Sequence, residues 1–75
     1  MMQSTIDPTL ETKALETGYR RYPQFRGIPA NVLAFPLKEG FAWQLRYQGE
    51  PPADPDAWEF QNTVVREYKR LAGAL

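Results

Sequence analysis

Histidine and cysteine, the side chains most often used for catalysis and metal binding near neutral pH, are both absent from this 75-residue chain. The usual zinc and iron ligand sets therefore cannot be assembled. Ser–His and Cys–His nucleophilic pairs are excluded for the same reason. A simple charge switch between about pH 5 and pH 8 has no side chain to work through. The carboxylates offer little more. Glu50, Asp54, Asp56 and Glu59 cluster along the sequence, but they lack the alternating ligands and glycine of a calcium loop, and prolines interrupt them. Gly18, Gly27, Gly40, Gly49 and Gly73 stand singly, so no glycine-rich phosphate loop arises. The one hydroxyl-rich spot, Ser4-Thr5, falls in what reads as a frayed tail. Pro52-Ala53-Asp54-Pro55 matches a PxxP ligand only formally, because acids surround it and a helix start overlaps it. These patterns predict a non-catalytic chain, with no cofactor and no bound metal.

Positive charge and aromatic rings are what the sequence does concentrate. Between Tyr19 and Gln48, Arg20, Arg21, Arg26, Lys38 and Arg46 face only Glu39, and the same stretch carries Tyr19, Tyr22, Phe25, Phe35, Phe41, Trp43 and Tyr47. Interleaved cations and rings suit single-stranded nucleic acid, which needs phosphate neutralisation and stacking platforms. The rings are also what two helices would pack against. Nine Lys plus Arg balance nine Asp plus Glu, and the pI is near 6.2, which argues against a dedicated nucleic-acid binder. A solvated basic face over a packed aromatic core is the preferred reading.

Two Asp-Pro pairs announce the elements that must hold these residues. Asp7-Pro8 and Asp54-Pro55 each place a capping oxygen before a proline that has no N–H to leave unsatisfied. Glu11 and Glu59 follow near the first turn, where the helix dipole favours negative charge. On a helical wheel Ala57, Trp58, Phe60, Gln61, Val64, Val65, Tyr68, Leu71, Ala72 and Leu75 share one arc, with charged residues on the other. Gln61 is the polar exception. It is expected to bond backbone at the connector or hairpin edge, the sharper alternative being a register-setting contact with a partner chain. Glu11 raises the same question on the first helix, where exposure near the N-terminus is the simpler answer. That first helix carries Leu10, Ala14, Leu15, Tyr19 and Tyr22 on one side; Gly18 weakens it and is an alternative stop that would leave residues 19–25 extended, and Pro23 ends it in any case.

A hairpin lies between the helices. Phe41, Trp43, Leu45 and Tyr47 alternate with Ala42, Gln44, Arg46 and Gln48, as Leu33, Phe35 and Leu37 do in the preceding segment. A three-residue loop, Lys38-Glu39-Gly40, would pair Leu37 with Phe41, Phe35 with Trp43 and Leu33 with Leu45, turning all six inward. The predicted architecture is a small single α+β domain in α-β-β-α order, a two-stranded antiparallel hairpin packed on one face by two helices. Residues 1–6 form a flexible tail and 7–75 the domain, with helices near 8–22 and 55–73, strands near 31–37 and 41–48, and a Pro-rich connector at 49–54.

Composition fits this reading. Hydrophobic residues make up 43 % and aromatics 13 %, which is globular rather than disordered. No apolar run is long enough to span a bilayer, and no signal-peptide core opens the chain. Absence of cysteine fits a reducing, cytoplasmic setting. The expected function is that of a small protein, of the bacterial or phage regulator or adaptor type, that binds and modulates another protein; the alternative is single-stranded nucleic-acid binding through residues 19–48. A homodimer is expected, because a domain this short has little core and an open hairpin leaves its edges free. The partner surface is expected at Arg20, Arg21, Phe25 and Arg26, beside an outer hairpin face made of Val32, Ala34, Gln44 and Arg46, with Phe25 either a ring that inserts into the partner or, equally, one that tucks under the hairpin to close the core.

Overall fold

The computed structural model describes residues 6–73. Residues 1–5 of the expected tail, and Ala74 and Leu75 after the second helix, lie outside the described residues. The chain is a small α+β domain: α1 (Pro8–Arg21), a single 3-10 turn (Pro23–Phe25), β1 (Ala30–Leu37), β2 (Gly40–Tyr47) and α2 (Ala57–Leu71). The antiparallel β1–β2 hairpin is packed by the two helices.

α1 starts as its sequence dictates. The Asp7 carboxylate accepts the N–H groups of Thr9 (2.9 Å) and Leu10 (3.3 Å), two of the donors a helix start leaves unpaired. The Asp7 backbone N–H donates to the Tyr68 hydroxyl at 3.0 Å, pinning this start to α2, and Ile6 packs half-buried against the core. Asp7→Ala is therefore expected to cost about 1 kcal/mol in a urea melt, in the usual range for a lost N-cap. α2 begins later than the Asp54-Pro55 signal. Asp54 builds a turn instead: its carboxylate takes the Asp56 N–H at 2.8 Å and its carbonyl takes the Ala57 N–H at 3.0 Å. The Asp56 carboxylate is left to accept from Gln24 at 3.0 Å, tying the helix start to the 3-10 turn.

The core centres on Phe60, which is fully buried. Its ring stacks on Phe25 at 4.6 Å, on Tyr19 at 5.7 Å and on Tyr47 at 6.5 Å between centroids. Ala14, Ala30, Val32, Leu45, Val64 and Tyr68 complete the buried cluster. Gly18 lies inside α1 and is buried. A Cβ there would sit 2.6 Å from Val64 Cγ2 and 2.8 Å from Phe60 Cε1, so its bare backbone is what lets the helices approach this closely.

The hairpin register differs from the expected one by a single residue. Leu37 pairs with Gly40, Ala34 with Trp43, Val32 with Leu45 and Ala30 with Tyr47, around a two-residue turn at Lys38 and Glu39. Among the described residues only glycines have positive φ, and Gly40, at φ 109°, absorbs the turn's twist inside the first ladder pair rather than in the loop. Slipping by one residue exchanges the two faces of a strand. Val32 and Ala30 are accordingly buried and Ala34 half-buried against the helices, while Leu33, Phe35 and Leu37 point outward. β2 keeps its expected polarity, with Leu45 and Tyr47 buried and Trp43 half-buried. Small and branched residues in β1 fit beneath two closely packed helices better than Leu33 and Phe35 would.

Candidate protein-binding surface

The residues singled out in the sequence fall into three places. Phe25 is not at the surface. The 3-10 turn that Pro23 starts drops its ring into the core, 1 % exposed, stacked on Phe60 and edge-on to Tyr22 at 6.5 Å. It fills space between helix and sheet and has no face left for a partner. Arg20 and Arg21 are exposed at the C-terminal end of α1, where cations suit the helix dipole. Arg26 is exposed too, but occupied: it pairs with Glu16 at 3.1 Å and lies 5.5 Å from the centre of the Tyr19 ring. Gln44 and Arg46 are exposed on the outer face of β2.

The register correction changes what Gln44 and Arg46 stand beside. Val32 and Ala34, expected on this face, are turned into the core. In their place Leu33 faces Gln44, Phe35 faces Ala42 and Asn31 faces Arg46 across the ladder. Phe35 is 43 % exposed and Leu37 59 % exposed. An apolar strip of Leu33, Phe35, Leu37 and Ala42 thus runs along the uncovered side of the sheet, with Asn31, Gln44 and Arg46 at one end and the Lys38-Glu39 turn at the other. Contiguous exposed apolar area of this kind marks interaction sites, whereas single exposed hydrophobics do not. Phe41 and Trp58 are exposed as well, at 39 % and 67 %, although the helical wheel placed Trp58 in the buried arc. Trp58 lies in the first turn of α2, alongside the β2 edge at Trp43 and Leu45.

Of the aromatic rings between residues 19 and 48, Phe25 and Tyr47 are buried and Tyr19, Tyr22 and Trp43 are packed against the core, leaving Phe35 and Phe41 exposed. Burial pushes the phenols of Tyr19 and Tyr47 above their ordinary pKa. The Glu67 carboxyl is held below its ordinary value by the Arg70 guanidinium, which donates to it at 2.9 and 2.6 Å. A surface depression of about 450 Å³ lies open over Pro8, Thr9, Thr12 and Lys13 of α1. No three Asp or Glu side chains converge as a metal site among the described residues. No helix among them is long and apolar enough to cross a membrane.

The sequence signal for the exposed strip was Asn31. It is the one polar side chain in β1, and a polar residue on a half-buried strand marks the solvent side. Its odd position places Leu33, Phe35 and Leu37 on that side with it. No protein-family model matches the chain, and neither a curated protein nor a solved structure matches it.

Proposed function

We propose that this chain is a small non-catalytic protein that binds and modulates another protein, and that the outer face of its hairpin holds the partner. The observation that carries this reading is the outer strip of half-buried Leu33 and exposed Phe35 and Leu37, while smaller residues of the same strand fill the core. An aromatic ring flanked by an arginine is a common centre of protein interfaces: the ring supplies desolvated area, and the guanidinium supplies directed hydrogen bonds. Here Phe35 provides the ring and Arg46 the guanidinium, with Gln44 and Asn31 as adaptable polar contacts. The partner surface that fits is apolar at its centre and acidic at the rim beside Arg46. A cytoplasmic regulator or adaptor is the setting this reading assumes.

The test is a comparative capture from lysate with and without nuclease treatment, using the natural chain and the Leu33→Lys/Phe35→Lys double variant as baits. Both substituted side chains point away from the core, so the melting temperature is expected to stay close to that of the natural chain. A protein retained by the natural chain and lost from the variant supports the reading. Identical captures would exclude this face as the binding surface. Retention that disappears with nuclease treatment would move the function to nucleic acid.

A further inference from the structure

We infer that the free edge of β2 pairs with the same edge of a second copy of this chain, in antiparallel orientation about a two-fold axis at Ala42. The two edges of the hairpin are not equivalent. Gln48 N–H donates to the Pro29 carbonyl at 3.0 Å, and with the observed register this sets which residues bond across the hairpin. Asn31, Leu33, Phe35 and Leu37 of β1 bond to Arg46, Gln44, Ala42 and Gly40 of β2. The backbone groups of Ala30, Val32, Ala34 and Pro36 therefore point out from one edge, and those of Phe41, Trp43, Leu45 and Tyr47 from the other.

The β1 edge is guarded. The Glu11 carboxylate takes the Val32 N–H at 2.7 Å, and Pro36, next but one along the same edge, has no N–H to give. A carboxylate and a proline are the devices by which edge strands avoid further pairing. On the β2 edge the guard stops short of the turn. Gln61 reaches the Leu45 carbonyl at 3.5 Å, but Phe41 and Trp43 have no hydrogen-bond partner for their outward N–H and C=O groups among the described residues. These two residues flank Ala42 symmetrically. Two copies related by a two-fold axis there would pair Phe41 of each with Trp43 of the other, using the open groups of both residues and none of the guarded ones.

Side chains agree with this register. Gly40–Gln44, the stretch that pairs with itself about Ala42, carries no charge, so no like charges meet within it. On the helix side, the partner's Phe41 would lie beside Trp43, over a groove of about 160 Å³ lined by Trp43, Leu45, Trp58, Gln61 and Val65. That placement covers two of the exposed rings, Phe41 and Trp58. It also brings a second chain to the Trp43 indole, whose enclosed Nε1–H is the one buried side-chain donor without a partner among the described residues. On the outer side, the small Ala42 side chains meet at the axis. The two Phe35 rings then extend one apolar row across both copies, so pairing enlarges the proposed partner surface instead of hiding it. From the exposed parts of Phe41 and Trp58 and the strand edge, pairing would bury roughly 400 Å² per copy. That is about half of what a stable interface uses, so the dimer forms reversibly, with a dissociation constant in the micromolar range or weaker.

Sedimentation equilibrium from micromolar to millimolar protein tests this without the unknown partner. The natural chain is expected to shift toward twice its monomer mass as concentration rises. Ala42→Lys and Ala42→Glu, each placing like charges face to face at the axis, should each weaken association by at least about tenfold. An equimolar mixture of the two variants should restore it, because only a two-fold axis at residue 42 sets Lys against Glu. A natural chain that stays monomeric throughout would overturn self-pairing and reserve the edge for a strand of another protein. A dimer indifferent to both substitutions, or a mixture that fails to recover, would overturn the register at Ala42. The capture test of the outer face uses Leu33 and Phe35 only, so either proposal can fail without the other.

Discussion

Phe25→Ala is expected to lower the unfolding free energy by about 3–5 kcal/mol, a large fraction of what a domain of this size has. The ring is 1 % exposed and makes the closest aromatic contact in the molecule, 4.6 Å from Phe60 with the planes 21° apart. Removing it would take away apolar burial and one side of a stack that also holds Tyr19 and Tyr47, and it would leave a cavity that the 3-10 turn can close only by giving up its hydrogen bonds. Phe35→Ala is the matched control, with an equal loss of ring area from a site 43 % exposed and an expected cost of less than about 1 kcal/mol. Urea melts of the two variants read the difference directly. Equal midpoints would mean that Phe25 is not the core residue described here and would restore it as a ring available to a partner.

Gly18→Ala is expected to destabilise by about 1–3 kcal/mol, although alanine is the better helix former by about 1 kcal/mol. Two opposed effects meet at this site, and the geometry decides between them. The added methyl would lie 2.6 Å from Val64 Cγ2 and 2.8 Å from Phe60 Cε1, far inside the roughly 3.5–4.0 Å at which carbon atoms attract. Neither neighbour can step aside, since Phe60 and Val64 are both fully buried. Relief requires the helices to separate, and separation loosens the Phe60 stack. A thermal melt showing Gly18→Ala neutral or stabilised would mean that α1 and α2 stand farther apart than in this structure.

The α+β class and the α-β-β-α order were legible because local signals agreed with global ones. The Asp7-Pro8 cap, the segregated α2 wheel and the alternation of β2 each pointed to one answer. Register was not legible, because β1 is apolar on both faces. Leu33, Phe35 and Leu37 make as good an inward set as Ala30, Val32 and Ala34 when only hydrophobicity is weighed. The deciding terms are tertiary: the volume left beneath two helices brought together at Gly18, and the Glu11 carboxylate waiting at Val32 N–H. Asn31 was the local hint. Phe25 was ambiguous for a related reason, since a short loop between Pro23 and Pro29 can turn a ring inward or outward with equal ease. The backbone bond expected for Gln61 does run to the hairpin edge, at the Leu45 carbonyl. The same wheel misplaced Trp58, because it assigns an arc by hydrophobicity alone, and Trp58 stands alongside the β2 edge rather than over the core that takes Ala57 and Phe60.

The partner surface depends on which side of β1 faces the helices, and one measurement reads that directly. In an antiparallel ladder the pairs that do not hydrogen-bond bring their Cα atoms within about 4.5 Å of each other, close enough for strong Hα–Hα nuclear Overhauser cross-peaks. With the observed register, those cross-peaks join Ala34 to Trp43 and Val32 to Leu45. Cross-peaks that instead join Ala34 to Gln44 and Val32 to Arg46, the non-bonded pairs when a three-residue loop sets Leu37 opposite Phe41, would turn the apolar strip into the core and contradict the account.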